Sequence, residues 1–173
     1  MPPTSSKGAR RAPQARTPTG TALDAGLRLL ARRAHSRAEL GRKLSRRGYA
    51  EVEVRSAVDR LVELGYLDDR TFAEGHVRRR QSSLGPLGLS AELSARGVDR
   101  QVADRALAEF DGDAQLGSAT RLAQRLYGRK PHSGYREMLD AIGPKLLRRG
   151  FSSGVARAAC RAVWVGTPPV TEA

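Results

Sequence analysis

The residue types best suited to chemistry in this chain are three histidines, one cysteine and one pair of adjacent aspartates. His35, His76 and His132 are scattered and lack a partner at the spacing of metal ligands, so we expect surface residues and no metal site. Cys160 falls among apolar residues at helical spacing, which predicts a buried, inert thiol. Neither a P-loop nor a G-x-G-x-x-G phosphate loop is present. The sequence therefore predicts a protein that is not an enzyme and has no cofactor.

The aspartate pair, Asp68 and Asp69, is the strongest candidate for an active site, because paired carboxylates can hold Mg²⁺ in a nuclease. No further acid cluster lies nearby in the sequence, however. The pair stands at the start of a predicted helix, where carboxylates are stabilised by the helix dipole. We therefore interpret the two residues as helix-capping groups, and a nuclease lacks the acids it would need.

Basic residues are the dominant feature, with 31 Lys and Arg against 18 Asp and Glu and a net charge of +13. Such an excess predicts a polyanionic partner, and we favour nucleic acid over a membrane surface because the basic residues recur along the whole chain. Exposed aromatic residues are few, so a base-stacking platform for single strands is not expected. The candidate residues for partner or DNA binding cluster at the ends of predicted helices: Arg46, Arg47, Arg78, Arg79, Arg80, Arg148 and Arg149. Further basic pairs, at Arg32–Arg33, Arg42–Lys43 and Arg129–Lys130, have similar positions.

The elements that carry these residues repeat three times. The endings Leu44-Ser-Arg-Arg-Gly48, Leu93-Ser-Ala-Arg-Gly97 and Leu146-Leu-Arg-Arg-Gly150 are nearly identical and lie roughly 50 residues apart. Counted from each glycine, six positions are apolar in every copy: Leu40, Leu89 and Ile142; Leu44, Leu93 and Leu146; Val54, Ala103 and Ala156; Ala57, Ala106 and Ala159; Val58, Leu107 and Cys160; Leu61, Phe110 and Val163. Their spacing is that of one buried face on each of two helices.

Each copy is predicted to contain three helices. The glycine can adopt the left-handed conformation that ends a helix, and the preceding arginines meet the negative end of its dipole. First helices are expected at Thr21–Arg33, Asp69–Gln81 and Asp113–Tyr127. Ser36 and Glu39 fit a capping box, and Pro86 and Pro144 fall near the starts of the other two middle helices. Tyr49 and Phe151, which follow their glycines, are expected to pack in the core. Residues 138–143 predict that the third middle helix is broken or is preceded by an extra turn.

The predicted fold is all-α, with three tandem three-helix repeats forming an elongated, curved molecule. The repeats span residues 21–66, 67–111 and 112–165. Residues 1–20 are rich in proline and basic residues without an acid, which predicts a disordered basic arm, and residues 166–173 predict a flexible tail. A single cysteine and the absence of an apolar run of about 18 residues favour a cytoplasmic protein without a membrane span.

One segment resembles a known protein family. Gly65-Tyr66-Leu67-Asp68-Asp69-Arg70-Thr71-Phe72-Ala73 is similar to the G-[YL]-[IVL]-[DN]-D-x-x-[FY]-A signature of the RecX regulatory proteins. Three further segments correspond to motifs that the RecX family has at the same places: Ala22–Leu30, Ser36–Leu40 and Leu147–Phe151. We assign the signature positions Gly65, Tyr66, Leu67, Asp68, Asp69, Phe72 and Ala73 structural roles, at a helix start and in the core.

This resemblance implies a modulator of the recombinase RecA, involved in DNA repair, recombination and the SOS response. Such proteins lodge in the groove of the RecA filament on single-stranded DNA. They block filament extension or promote its disassembly, and so lower ATP hydrolysis, strand exchange and co-protease activity. The expected partners are RecA and its filament, together with non-specific binding to DNA. The rival interpretation is a helix-turn-helix-like DNA-binding regulator, since helices joined by short glycine turns also occur in that class.

Overall fold

The computed structural model describes residues 19–130 and 132–165, and these residues form nine α-helices and no strand. The helices are α1 (Ala22–Leu30), α2 (Arg37–Ser45), α3 (Glu51–Glu63), α4 (Asp69–Arg80), α5 (Pro86–Ala95), α6 (Arg100–Ala108), α7 (Gly112–Tyr127), α8 (Tyr135–Arg148) and α9 (Ser153–Val165). The all-α prediction is confirmed. Apart from residues 19 and 20, the predicted basic arm and the tail at 166–173 lie outside the described residues.

The helices assemble in threes. The third helix of each set packs on the first two: α3 on α1 and α2, α6 on α4 and α5, and α9 on α7 and α8. We therefore propose residues 21–66, 67–111 and 112–165 as the boundaries of repeat 1, repeat 2 and repeat 3. Each middle helix ends at a glycine with positive φ, at 93° for Gly48, 78° for Gly97 and 85° for Gly150. The predicted left-handed turn is thus confirmed in all three copies.

The six apolar columns form the interior. All of their members are buried except Val58 and Leu107, which are half-buried. Tyr49 and Phe151, the residues after two of the glycines, are buried as expected. The buried residues of repeat 1 form one apolar cluster, whereas those of repeats 2 and 3 form a second cluster that is continuous between the two repeats.

The middle helices follow one another head to tail. The first turn of α2 rests on the glycine turn that ends α5, where the Ser36 hydroxyl donates a 2.6 Å hydrogen bond to the Arg96 carbonyl. The first turn of α5 rests in the same way on the glycine turn that ends α8. In this row of middle helices the positive N-terminal ends of α2 and α5 face the negative ends of α5 and α8, which is favourable. The end-to-end placement of the three helices makes the molecule elongated.

The contact between α5 and α8 is made by backbone. Gly85 and Leu87 donate their N–H groups to the carbonyls of Arg149 and Gly150, at 2.9 and 3.2 Å. A Cβ atom added to Gly150 would lie 2.0 Å from the nitrogen of Gly88. Glycine is therefore required at residue 150 for two reasons, its positive φ and this close approach.

Three details differ from expectation. Helix α8 begins at Tyr135 and runs unbroken, so the extra turn is present and the broken helix is wrong. Pro86 is the first residue of α5, as predicted, but Pro144 lies inside α8 because that helix starts earlier. The capping box of α2 is half formed. Ser36 accepts from the Glu39 N–H, while the Glu39 carboxylate turns to arginines instead.

The glycine turns allow a direct test of the helix-on-turn contact. Gly65 also has a positive φ, of 73°, but an added Cβ would meet nothing within 4 Å. We expect Gly65→Ala to lower the free energy of unfolding by about 1–2 kcal/mol, the penalty for a left-handed L-residue. Gly150→Ala should lower it by about 1–3 kcal/mol more, because its Cβ overpacks the junction. Urea unfolding would measure both, and equal losses would contradict the role assigned to the contact.

Candidate functional site

An open groove with a volume of about 690 Å³ lies at the junction of repeats 1 and 2 and continues into a second concavity along α2. We call the whole depression the basic groove, because its walls carry seven basic side chains and two carboxylates. The basic side chains are those of Arg33, Arg42, Lys43, Arg46, Arg79, Arg80 and Arg96, and the carboxylates are those of Glu39 and Glu92. The site is therefore suited to an anion with several charges.

The groove owes its charge to helix ends. Arg79 and Arg80 lie in the last turn of α4, Arg42 and Lys43 in the last turn of α2, and Arg96 caps the end of α5. A cation in the last turn is stabilised by the negative end of the helix dipole. The end of α4 contacts α5 at the junction, and Arg42 reaches from α2 to the Ala95 carbonyl at the end of α5. Cations that are favourable locally therefore become a shared positive surface.

Glu39 anchors the repeat 1 wall of the groove. Its carboxylate lies 2.5 Å from Arg33, 3.2 Å from Nδ1 of His35 and 3.5 Å from Arg96 of repeat 2. Burial raises the pKa of this carboxyl, but the contacts with Arg33 and His35 outweigh burial and hold the pKa at about 2. Glu39 is thus charged throughout the neutral range and connects the two repeats electrostatically.

Glu92 plays a similar part on the repeat 2 wall. Arg80 reaches its two carboxylate oxygens at 2.8 and 3.3 Å, and Nε2 of His76 lies 2.7 Å from one of them. The hydrogen bond from Arg80 lowers the pKa of Glu92, and burial opposes this shift. Burial lowers the pKa of His76, so its ring is neutral near pH 7.

The expectation of surface histidines is wrong. His35, His76 and His132 are buried, and each lies within 3.5 Å of a glutamate. Nε2 of His76 is hydrogen-bonded to Glu92, whereas Nδ1 of His35 and Nδ1 of His132 lie near a carboxylate without the geometry of a hydrogen bond. The four-residue separation of His35 and Glu39 was the available signal for the first of these pairs. Among the described residues no group of three His, Cys, Asp or Glu side chains could hold a metal ion.

The seven arginines named from the sequence divide between three places. Arg46, Arg79 and Arg80 line the basic groove. Arg47 and Arg78 are exposed neighbours that do not line it. Arg148 and Arg149 lie at the junction of repeats 2 and 3, where Arg149 donates to the Ser83 carbonyl at 3.1 Å. The set omitted four cations that the fold brings into the groove: Arg33, Arg42, Lys43 and Arg96.

The aspartate pair is used at two different helix starts. Asp68 is the N-cap of α4 and accepts from the N–H groups of Arg70 and Thr71. Asp69 instead accepts from the N–H of Arg37, at 2.8 Å, and so caps α2 in the neighbouring repeat. Other signature positions are buried, namely Leu67, Phe72 and Ala73, and Gly65 takes the positive φ of its turn. Tyr66 is 61% exposed and contributes nothing to the core.

Two further observations concern chemistry and membranes. Cys160 is fully buried, and this burial raises the pKa of its thiol, in agreement with an inert residue. Within the described ranges, no helix has both the length and the apolar character that a bilayer span requires.

The Glu39 contacts make a pH-dependent prediction. The folded pKa lies below the ordinary value of 4.5, so the carboxylate contributes stability that is complete above pH 4.5 and is lost as the pH falls towards about 2. We expect Glu39→Gln to lower the unfolding free energy by about 1 kcal/mol at pH 7, a value reduced for partial exposure. The gap should close as the pH falls below 4.5. Glu63→Gln, in an exposed pair with Arg60, is the control and should change little at any pH. A gap that stays constant down to about pH 3 would contradict the assignment.

Comparison with known proteins identifies the family. Family models for the first and second three-helix domains of RecX match residues 22–61 and 68–107. The regulatory protein RecX of Xanthomonas citri is 41% identical over 142 residues, covering 82% of this chain and 86% of that protein. That of Mycobacterium sp. (strain JLS) is 43% identical over 137 residues, covering 75% and 74%. The crystal structure of RecX from Lactobacillus salivarius superposes with a TM-score of 0.74 at 26% identity, over 83% of this chain and 95% of that one. The chain therefore belongs to the RecX family of regulatory proteins, as its Gly65–Ala73 signature predicted.

Proposed function

We propose that this protein binds RecA and its filament on single-stranded DNA and inhibits the recombinase, ATPase and co-protease activities of RecA. Inhibition would follow from blocking filament extension or from promoting disassembly. Such an action takes place on the chromosome, so we also propose a cytoplasmic location. The single observation that carries the proposal for this chain is the basic groove, in a member of a family of regulatory proteins.

The charge balance of the groove supports a nucleic-acid-bound target. Glu39 and Glu92 pair with Arg33, Arg80 and Arg96. The remaining cations have no carboxylate within ion-pair distance among the described residues; they are Arg42, Lys43, Arg46 and Arg79. Unpaired cations gathered in a concave site attract the phosphates of a nucleic acid. Binding then releases the counterions that had condensed on those phosphates. The groove is thus prepared to contact the DNA within a filament while the rest of the body meets protein.

The elongated row of repeats supports a filament over a single protein molecule as the target. A filament presents identical surfaces at regular intervals, and a body made of tandem units can contact several of them at once. Several weak contacts made together raise the overall affinity by avidity without any single strong contact. This mode also explains why three similar units serve better than one.

The groove makes a charge-specific prediction. Arg46→Ala with Arg79→Ala removes two unpaired groove cations, whereas Arg47→Ala with Arg78→Ala removes two exposed cations outside it from the same helix ends, α2 and α4. We expect the groove variant to need on the order of tenfold more protein for half-inhibition of RecA ATP hydrolysis on single-stranded DNA. The slope of the logarithm of the apparent affinity against the logarithm of the salt concentration should be smaller in magnitude by about 1.4. The second variant should inhibit like the wild type.

Two results would count against the proposal. Equal losses in both double variants would mean that charge acts diffusely and not through the groove. Sequence-specific binding of a labelled duplex in the absence of RecA, measured against specific and random competitors, would instead support the helix-turn-helix-like regulator.

A further inference from the structure

The two junctions between repeats are built differently. Repeats 2 and 3 share a continuous apolar cluster and are joined by two backbone hydrogen bonds, from Gly85 and Leu87. Gly88 and Gly150 approach so closely there that no side chain fits between them. Separating these repeats would expose apolar surface and leave backbone groups unpaired, both of which are costly. Repeats 2 and 3 therefore form one rigid body.

Repeat 1 is held to that body by side-chain hydrogen bonds and by the packing of Ala38 on Gly97, where an added Cβ would lie 2.5 Å from the Ala38 Cβ. Four hydrogen bonds cross the junction among the described residues: Ser36 to Arg96 at 2.6 Å, Arg37 to Asp69 at 2.8 Å, Arg42 to Ala95 at 3.2 Å and Arg96 to Glu39 at 3.5 Å. Each has a side chain as donor or acceptor, and the apolar clusters on the two sides are separate. The bonds of Arg37 and Arg42 are exposed, whereas those of Ser36 and Glu39 are part-buried. Hydrogen bonds of this kind contribute about 0.5–1.5 kcal/mol each.

The covalent connection has the features of a pivot. Leu67, the first residue after the proposed boundary of repeat 1, packs in the apolar cluster of repeat 1, and Phe72 belongs to that of repeats 2 and 3. Only the segment at the start of α4 separates these two anchors. A rotation of repeat 1 about this segment would break the four side-chain bonds and leave both apolar clusters intact.

The basic groove lies across this pivot. Repeat 1 supplies one wall, with Arg33, Arg42, Lys43 and Arg46, and repeat 2 supplies the other, with Arg79, Arg80 and Arg96. In the absence of an anion the two walls repel each other, because cations outnumber carboxylates on both. A polyanion between the walls removes the repulsion and attracts both walls, which favours a closer arrangement.

We propose that the basic groove is a clamp, in which repeat 1 turns on residues 67–68, immediately before α4, against the rigid body of repeats 2 and 3 and closes on a phosphate chain. The Asp69–Arg37 contact latches the closed form. The nature of the phosphate chain as DNA rests on the proposed function. The two-body motion rests only on the construction of the junctions.

The three repeats offer equivalent labelling sites. Ser56, Arg105 and Ala158 occupy the same position in α3, α6 and α9, and all three are exposed. Spin labels on Ser56→Cys with Arg105→Cys report on the first junction, and labels on Arg105→Cys with Ala158→Cys report on the second. The natural Cys160 is buried and stays unlabelled. Double electron–electron resonance then gives the distribution of distances across each junction in the full chain.

We expect a distance distribution at least about twice as wide across the first junction as across the second. Adding oligo(dT) as the phosphate chain should narrow the first distribution and leave the second unchanged. Asp69→Ala should widen the first, whereas Asp113→Ala, an acid in the first turn of α7 without a cross-repeat bond, should not.

Equal widths across both junctions without oligo(dT) would overturn the two-body motion. A wide first distribution that oligo(dT) leaves unchanged would overturn the clamp. Inhibition of RecA ATP hydrolysis is measured separately on the wild type. A loss of the proposed function would appear there while the distance results stood, so the two failures are distinguishable.

Discussion

The contact on which the rest of the structure depends is the seating of one helix on the glycine turn that ends another. At Gly150 and Gly97 a left-handed residue exposes backbone that the first turn of α5 or α2 then covers. Hydrogen bonds satisfy carbonyls that every helix end leaves open, and the dipoles align. A three-helix unit buries little apolar surface alone, so these contacts between a helix start and a glycine turn determine how the units are placed.

The same arrangement explains where the charge collects. Arginines before each glycine are favourable at a helix end for local reasons, yet the seating brings several helix ends to one junction. At the junction of repeats 2 and 3 the glycine turn is covered by backbone, and Arg149 is drawn into a hydrogen bond with Ser83. At the junction of repeats 1 and 2 the glycine turn is covered by Ser36 and Ala38, and the cations beside it line a groove. One packing rule thus yields a tight joint in one place and a charged recess in the other.

Much of the fold could be predicted from the sequence because its signals are local. Apolar spacing and the three glycines gave the middle and last helices, and Asp68 marked the start of α4. The groove could not be predicted, because Arg33, Arg42 and Arg96 meet only through contacts between repeats. The buried histidines were missed for a similar reason. His76 is paired with Glu92 on a different helix, and no periodic pattern reports that contact. The double role of the aspartate pair likewise depends on the placement of α2 beside α4.

The extra turn of α8 has a consequence for the growth of such molecules. Met138 occupies the position that Ser36 and Gly85 hold at the starts of α2 and α5, but it lies buried inside a continuing helix. A glycine turn of a following unit would therefore meet, at that position, the interior of a helix and not its start. The row of middle helices therefore has two different ends: the α8 end has a buried helix interior at this position, and the α2 end has the glycine turn of Gly48, on which no described helix start lies. A further unit that used the same contact would place the start of its middle helix on the glycine turn of Gly48, ahead of repeat 1.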